Sequence, residues 1–174
     1  MIRNPKIELA KEFVSHTGKS IFLTGKAGTG KTTFLKSLRD TLPKRMIVVA
    51  PTGVAAINAG GVTIHSFFQM PFGPIVPGMA KQRENNDYQK FKRNLNREKV
   101  AIIKSLDLLI IDEISMVRAD LLDGVDEVLR KYRGNQLPFG GVQLLMIGDL
   151  EQLSPVVKND EKSILSKYYD TLYF

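Results

Sequence analysis

The stretch "FLTGKAGTGKTTF", Phe22 to Phe34, decides how this chain is read. Residues Gly25 to Thr32 fit the pattern G-x-x-x-x-G-K-[ST]. Glycines at these spacings let successive backbone N–H groups turn inward around phosphate oxygens, and the helix that follows adds its positive N-terminal dipole. The expected cradle comprises Gly25, Ala27, Gly28, Thr29, Gly30, Lys31, Thr32 and Thr33. In it the Lys31 ammonium would neutralise the β- and γ-phosphates of a nucleoside triphosphate such as ATP, and the Thr32 hydroxyl would bind Mg²⁺. The motif alone is a pattern; its context adds weight, because it sits between an apolar run and an amphipathic one.

Outward from the cradle, four apolar segments read as strands: Ser20–Thr24, Met46–Ala50, Leu106–Asp112 and Val142–Gly148. Their hydrophobicity is nearly continuous, as expected of strands buried on both faces. Helical spacing is predicted over Ile7–Val14, Lys31–Leu42 and Val117–Arg133; Pro43 stops the second and Gly134 follows the third. Strands alternating with helices imply the α/β class, a parallel sheet with helices on both faces and ligands at the carboxyl ends of the strands. The segment Met70–Ile103 breaks this rhythm. It opens with Pro71, Pro74 and Pro77 and continues as a charged run, which reads as a rigid loop followed by a charged helix inserted at about residues 70–104.

Two further motifs fall at strand ends. In "LLIIDEIS" Asp112 closes a buried strand, where its carboxylate can hold a Mg²⁺-bound water, and Glu113 is placed to orient and deprotonate an attacking water. In "VQLLMIGDLEQLSPV" an apolar run halts at Gly148 and gives way to Asp149, Glu151 and Gln152. If that strand lies beside the cradle strand, the Gln152 amide can donate to a γ-phosphate oxygen. The expected catalytic set is therefore Lys31, Glu113 and Gln152, with Thr32 and Asp112 as metal ligands.

Composition sets outer bounds. The 174 residues fit one domain, and 43% hydrophobic content suffices for a core. A net charge of +7 favours a polyanionic partner without naming one. With no cysteine there are no disulfides and no thiolate metal sites. No apolar run is long enough for a membrane span or a signal peptide, so no membrane partner is expected and an intracellular location is.

The segments "GKAGTGKTT", "APTGVAAINAGGVTIHSFF", "LLIIDEISMV" and "FGGVQLLMIGDLEQLSPV" resemble, in order and spacing, the Pif-type DNA helicases of superfamily one, branch B. The resemblance runs from about Ile21 to Val157. It implies a RecA-like P-loop NTPase fold and an ATP-driven motor moving 5′ to 3′ on single-stranded DNA, used in replication, repair, recombination or telomere maintenance. Single-stranded and fork DNA are the implied partners, and the cytoplasm of a bacterium or the nucleus or mitochondria of a eukaryote the implied location. The positions of Asp112, Glu113 and Gln152 match the family's Mg²⁺, catalytic and γ-phosphate-sensing residues. Thr52 and Gly53 match a DNA-backbone contact, and His65, Ser66 and Phe67 a second contact. Pro71, Phe72, Gly73 and Pro74 match the wedge that splits duplex.

Physical readings of those last positions stay open. Thr52 and Gly53 suit a phosphate but also a plain helix cap. His65 suits a structural role, and one of Phe67 and Phe68 is expected in the core. The proline loop could be a rigid surface connection. Residues Lys81 to Lys104 hold eight basic against three acidic side chains, which suits DNA but also a solvated helix face. The family's usual upstream glutamine, which reads adenine, is absent; Glu8 stands near its place. Nothing after Gln152 reads as a second sheet, so the expectation is the first half of a two-domain motor, its second RecA-like domain absent from this sequence. A P-loop small-molecule kinase and a non-catalytic nucleic-acid module are the competing readings.

Overall fold

The computed structural model describes residues 4–26, 28–76, 95–152 and 157–173. Five parallel strands form its single described sheet: β1 (Ile21–Thr24), β2 (Met46–Ala50), β3 (Val62–Thr63), β4 (Leu108–Ile111) and β5 (Gln143–Gly148), in the order β1-β5-β4-β2-β3. The α-helices among the described residues are α1 (Pro5–His16), α2 (Lys31–Thr41), α3 (Gly53–Ala59), α4 (Ile64–Phe68), α5 (Arg97–Ser105), α6 (Ala119–Arg133) and α7 (Asn159–Leu165).

The continuous apolar runs are explained by two cores, one on each face of the sheet. Along β4, Leu109 and Ile111 pack with Val49, Leu144, Phe67, Phe68 and the apolar stripe of α6. Leu108 and Ile110 point the other way, onto α1 and α2 through Val14, Phe34, Leu35 and Leu38. All four β4 residues are fully buried. A strand with period-two side-chain geometry and a core on both sides has no polar face to alternate with. The expected α/β architecture is thus found.

Local details differ from expectation. The third strand of the chain, β3, is two residues long and pairs with β2 at the sheet edge. A 3-10 turn, Ile114–Met116, separates β4 from α6, so that helix begins at Ala119 instead of Val117. Within the inserted segment the described helix is α5, capped by the Asn96 side chain on Lys99 N at 2.8 Å. Pro77, the remainder of the charged run through Asn94, and Leu153–Val156 lie outside the described residues, as does Ala27 of the cradle.

Candidate active site

The cradle is built by backbone geometry. Gly28 and Gly30 take positive φ angles of 76° and 91°, in the left-handed region that favours glycine. A Cβ on Gly25 would stand 3.0 Å from Thr29 Oγ1, which itself donates to Lys26 O at 2.8 Å. Gly30 caps α2, and Thr32 and Thr33 stand exposed in its first turn. The Lys31 ammonium folds back over the loop, donating to the carbonyls of Gly25 and of Lys26, the latter at 3.0 Å.

The register of the sheet brings the other elements beside it. Thr24, the last residue of β1, pairs with Gly148, the last of β5, and Ile111 of β4 pairs with Met146 of β5. The expectation that the Gln152 strand borders the cradle strand is met. Gly148 is needed for contact with the next strand's loop: a Cβ there would lie 2.8 Å from Ile114 Cγ2 and 3.2 Å from Ser115 N. The apolar strand therefore halts at a glycine so that the turn after β4 can close against it.

Asp112 follows β4 directly, its own N–H bonded to Val49 O at 2.9 Å. Burial pushes its carboxyl pKa up; Glu113 adds to this by charge, while the Glu113 N–H and Lys31 pull the other way. Glu113 holds φ 54° and ψ 46°, a left-handed conformation that costs a non-glycine residue roughly 1 kcal/mol or more. Such a conformation persists where the surrounding structure fixes it, here at the start of the 3-10 turn Ile114–Met116. The Ser115 Oγ, in the turn beyond, is buried without a hydrogen-bond partner among the described residues.

Asp149 anchors the third element. Only 6% exposed, it accepts from Glu151 N at 3.1 Å and from Gln152 Nε2 at 3.1 Å, while its carbonyl accepts from Gln152 N at 3.1 Å. The Gln152 amide is thereby held by its nitrogen, with the side chain otherwise exposed. Sequence reasoning named Gln152 but gave no role to Asp149; an Asp accepting from residues two and three positions on is a turn signature that could have suggested one.

Among the described residues no cluster of three or more His, Cys, Asp or Glu side chains could hold a metal. A Mg²⁺ at Thr32 and Asp112 suits this sparse oxygen set only if phosphate oxygens and water complete its shell, which is how Mg²⁺ binds with nucleotides.

The nucleic-acid candidates lie beyond β2 and β3. Thr52 caps α3 through its Oγ1 to Ala55 N at 3.2 Å, and Gly53 is exposed with open space where a Cβ would stand. Thr63 caps α4 on Ser66 N at 3.1 Å; Ser66 is exposed and its carbonyl accepts from Lys99 Nζ at 2.6 Å. Phe67 and Phe68 are 4% and 1% exposed and meet edge to face at 4.8 Å. Both rings belong to the core, so Phe67 offers no ring face for stacking. Pro71 and Pro74 are buried, Phe72 is 90% exposed, and Gly73 has φ 98°. His65 stacks on Phe72 with ring centroids 4.9 Å apart.

The sheet order, the cradle glycines and the strand-end acids define a RecA-like P-loop NTPase domain. Within that class the chain belongs to the PIF1-like helicase family, whose model it matches over residues 7–168. It is 42% identical over 162 residues to the ATP-dependent DNA helicase PIF1 of Candida albicans, covering 91% of this chain and 17% of that protein. It is also similar to the Bacteroides Pif1 helicase solved with ADP-AlF3 and single-stranded DNA: 48% identity, TM-score 0.88, all of this chain and 38% of the other. A structure describing DNA unwinding at forked duplex by two coordinating Pif1 helicases matches with TM-score 0.89 and 48% identity, over all of this chain and 40% of that one. The chain thus spans about a sixth of that curated relative and two-fifths of these solved ones. No helix among the described residues is long and apolar enough to cross a membrane.

Proposed function

We propose that this chain is the nucleotide-binding first half of an ATP-driven DNA motor that travels 5′ to 3′ on single strands and opens forked duplex. The observation that carries this reading is the convergence of three polar elements at the carboxyl ends of adjacent strands β1, β5 and β4: the Lys31 loop, the Asp149-anchored Gln152, and the Asp112–Glu113 pair. The related structures with ADP-AlF3, single-stranded DNA and forked DNA support the same assignment.

In this account the backbone N–H groups of residues 25–32 bind and orient the phosphates, and Lys31 leaves its carbonyl partners to neutralise them. Thr32 and Asp112 would hold Mg²⁺, which when bound supplies charge neutralisation of the β- and γ-phosphates. Glu113 takes the proton of the attacking water, and Gln152 donates to the γ-phosphate. A second RecA-like domain, supplying an arginine to the same cleft, completes the motor; lack of such an arginine typically lowers hydrolysis about 10³- to 10⁵-fold. The 174 residues alone therefore bind Mg²⁺-ATP, hydrolyse it slowly and unwind nothing. Replication, repair, recombination or telomere maintenance is the setting proposed for the whole protein.

The test is a titration of this chain with a fluorescent ATP analogue and Mg²⁺, in parent and Lys31→Ala forms, followed by an unwinding assay. Binding lost in Lys31→Ala, with no unwinding, supports the reading. Robust unwinding by the 174 residues alone would refute the half-motor account.

A further inference from the structure

We propose that Arg118 and Asp120 are positioning residues that hold the Pro71–Pro74 loop so that Phe72 projects as a stacking surface for single-stranded DNA, with the His65 ring as its platform. The inference rests on the DNA-motor reading above and adds to it the device that aims the loop.

A loop with prolines at 71 and 74 has lost two N–H donors and cannot join the sheet ladder. Its backbone is held instead by side chains around the start of α6. Asp120 is 1% exposed and accepts from Ile75 N at 2.8 Å. Arg118 donates to Gly73 O at 2.7 Å. The two side chains lock each other in a fork, Nε to Oδ1 and Nη2 to Oδ2, both at 2.9 Å. A third group, Glu161 of α7, accepts from Arg118 Nη1 at 3.4 Å. Two apolar residues could fill the same volume with comparable stability, because burying ions is unfavourable. They could not hold an N–H and a C=O on either side of Pro74.

What the clamp presents is unusual. Met70, Ile75 and Val76 are at most 8% exposed, and Pro71 and Pro74 are buried, yet Phe72 between them is 90% exposed. Burying a phenylalanine side chain is worth roughly 1.5–3 kcal/mol, so a fixed loop that leaves it in water forgoes a gain of that size. Its ring is not adrift: it lies nearly parallel to His65, at 13° between planes. Burial, and secondarily the Arg118 charge, push the His65 pKa down, with Asp120 opposing. The stacked imidazole offers Phe72 a flat face, and in this proposal His65 acts through Phe72. Aromatic faces held in this way are what sequence-tolerant single-strand binding uses.

The experiment uses this chain and a fluorescein-labelled oligothymidylate. Dissociation constants are measured for the parent, Phe72→Ala, Asp120→Asn and Arg118→Lys, and for each clamp variant combined with Phe72→Ala. Because the chain has no tryptophan, Phe72→Trp adds a single reporter whose fluorescence anisotropy follows loop motion. The expected results are a roughly 5- to 100-fold loss for Phe72→Ala, the range of one base–aromatic stack. Each clamp variant weakens binding in the parent background and lowers the indole anisotropy, and has no further effect once Phe72 is alanine. Arg118→Lys keeps the buried charge and serves where Asp120→Asn does not fold. Equal losses with and without Phe72, or folded clamp variants that bind like the parent, overturn the proposal. Failure of the parent to bind oligonucleotide at all defeats the DNA-motor reading and this inference together; binding indifferent to Phe72, Arg118 and Asp120 defeats this inference alone.

Discussion

The two ends of the sheet handle polar groups in opposite ways. At the amino ends of the strands, the side chains of Lys44, Arg45, Asp107, Arg133 and Gln143 are spent on the fold. Lys44 donates to the carbonyls of Val14 and Thr17 and to Gln143 Oε1 at 2.7 Å, and Gln143 Nε2 donates to Lys19 O at 2.8 Å. Arg45 and Asp107 form a forked pair at 2.8 Å, and Arg133 donates to the carbonyls of Ile103, Leu106 and Gly140. At the carboxyl ends, Asp112 is raised by burial, Glu113 is strained, and Ser115 Oγ is buried without a partner among the described residues. One end closes loops onto the sheet. The other holds polar groups at some expense of stability, as the proposed cleft requires.

This contrast can be broken by substitution. The largest effect is expected for Glu113→Gln in the motor that carries both halves: hydrolysis should fall about 10²- to 10⁴-fold, as for loss of a general base, with nucleotide affinity little changed. A phosphate-release assay beside a binding titration checks it. Next comes the opposite end. Arg133→Met should destabilise by about 2–4 kcal/mol, since several buried carbonyls lose their donor, while nucleotide affinity of the folded fraction stays put. Denaturant unfolding reads this change.

A smaller effect of opposite sign is expected for Asp112→Asn. A carboxyl whose pKa is raised in the fold resists ionisation there, so the ionised group burdens the folded state at neutral pH and ceases to below the ordinary carboxylate range. Asp112→Asn should therefore stabilise the chain slightly, the effect being reduced by solvent screening. The gain should vanish in acid, and hydrolysis should be lost throughout. The smallest effect belongs to Asp107, which the Arg45 side chain lowers to about 2 from 3.8. A depressed carboxyl stabilises above its unfolded pKa and loses that contribution as pH falls from 3.8 through about 2. Asp107→Asn should lower the urea midpoint slightly at pH 7, and the difference from the parent should close across that acid window.

How much of this was legible beforehand follows from what each feature depends on. The cradle and strands β1, β2, β4 and β5 rest on local spacing and on burial of both faces, which a sequence displays directly. The apolar run Met46–Ala50 coincides with β2 to the residue. Strand β3 and helix α4 are not legible, because two and five residues are too few to show a period. The start of helix α3 is legible as a cap at Thr52, but its extent is not, because the glycines and alanines of "GVAAINAGG" give no amphipathic stripe. The Gly148 approach to Ile114 and the Arg118–Asp120 clamp are tertiary facts. Residues two apart on a helix do not face one another, so sequence gave no reason to pair Arg118 with Asp120, which meet where Arg118 caps α6. Phe67 likewise carried the family pattern of a DNA contact, while its burial depends on how α4 lies on the sheet.

The central claim is that the polar groups at the carboxyl end form one cleft in which Gln152 meets the γ-phosphate. It is tested most directly by titrating the parent chain and Gln152→Ala with Mg²⁺-ATP and Mg²⁺-ADP in parallel. The account predicts that ATP affinity falls roughly 10-fold, as for loss of a hydrogen bond to a charged group, and that ADP affinity is unchanged. Equal losses for both nucleotides, or no loss for either, would contradict it.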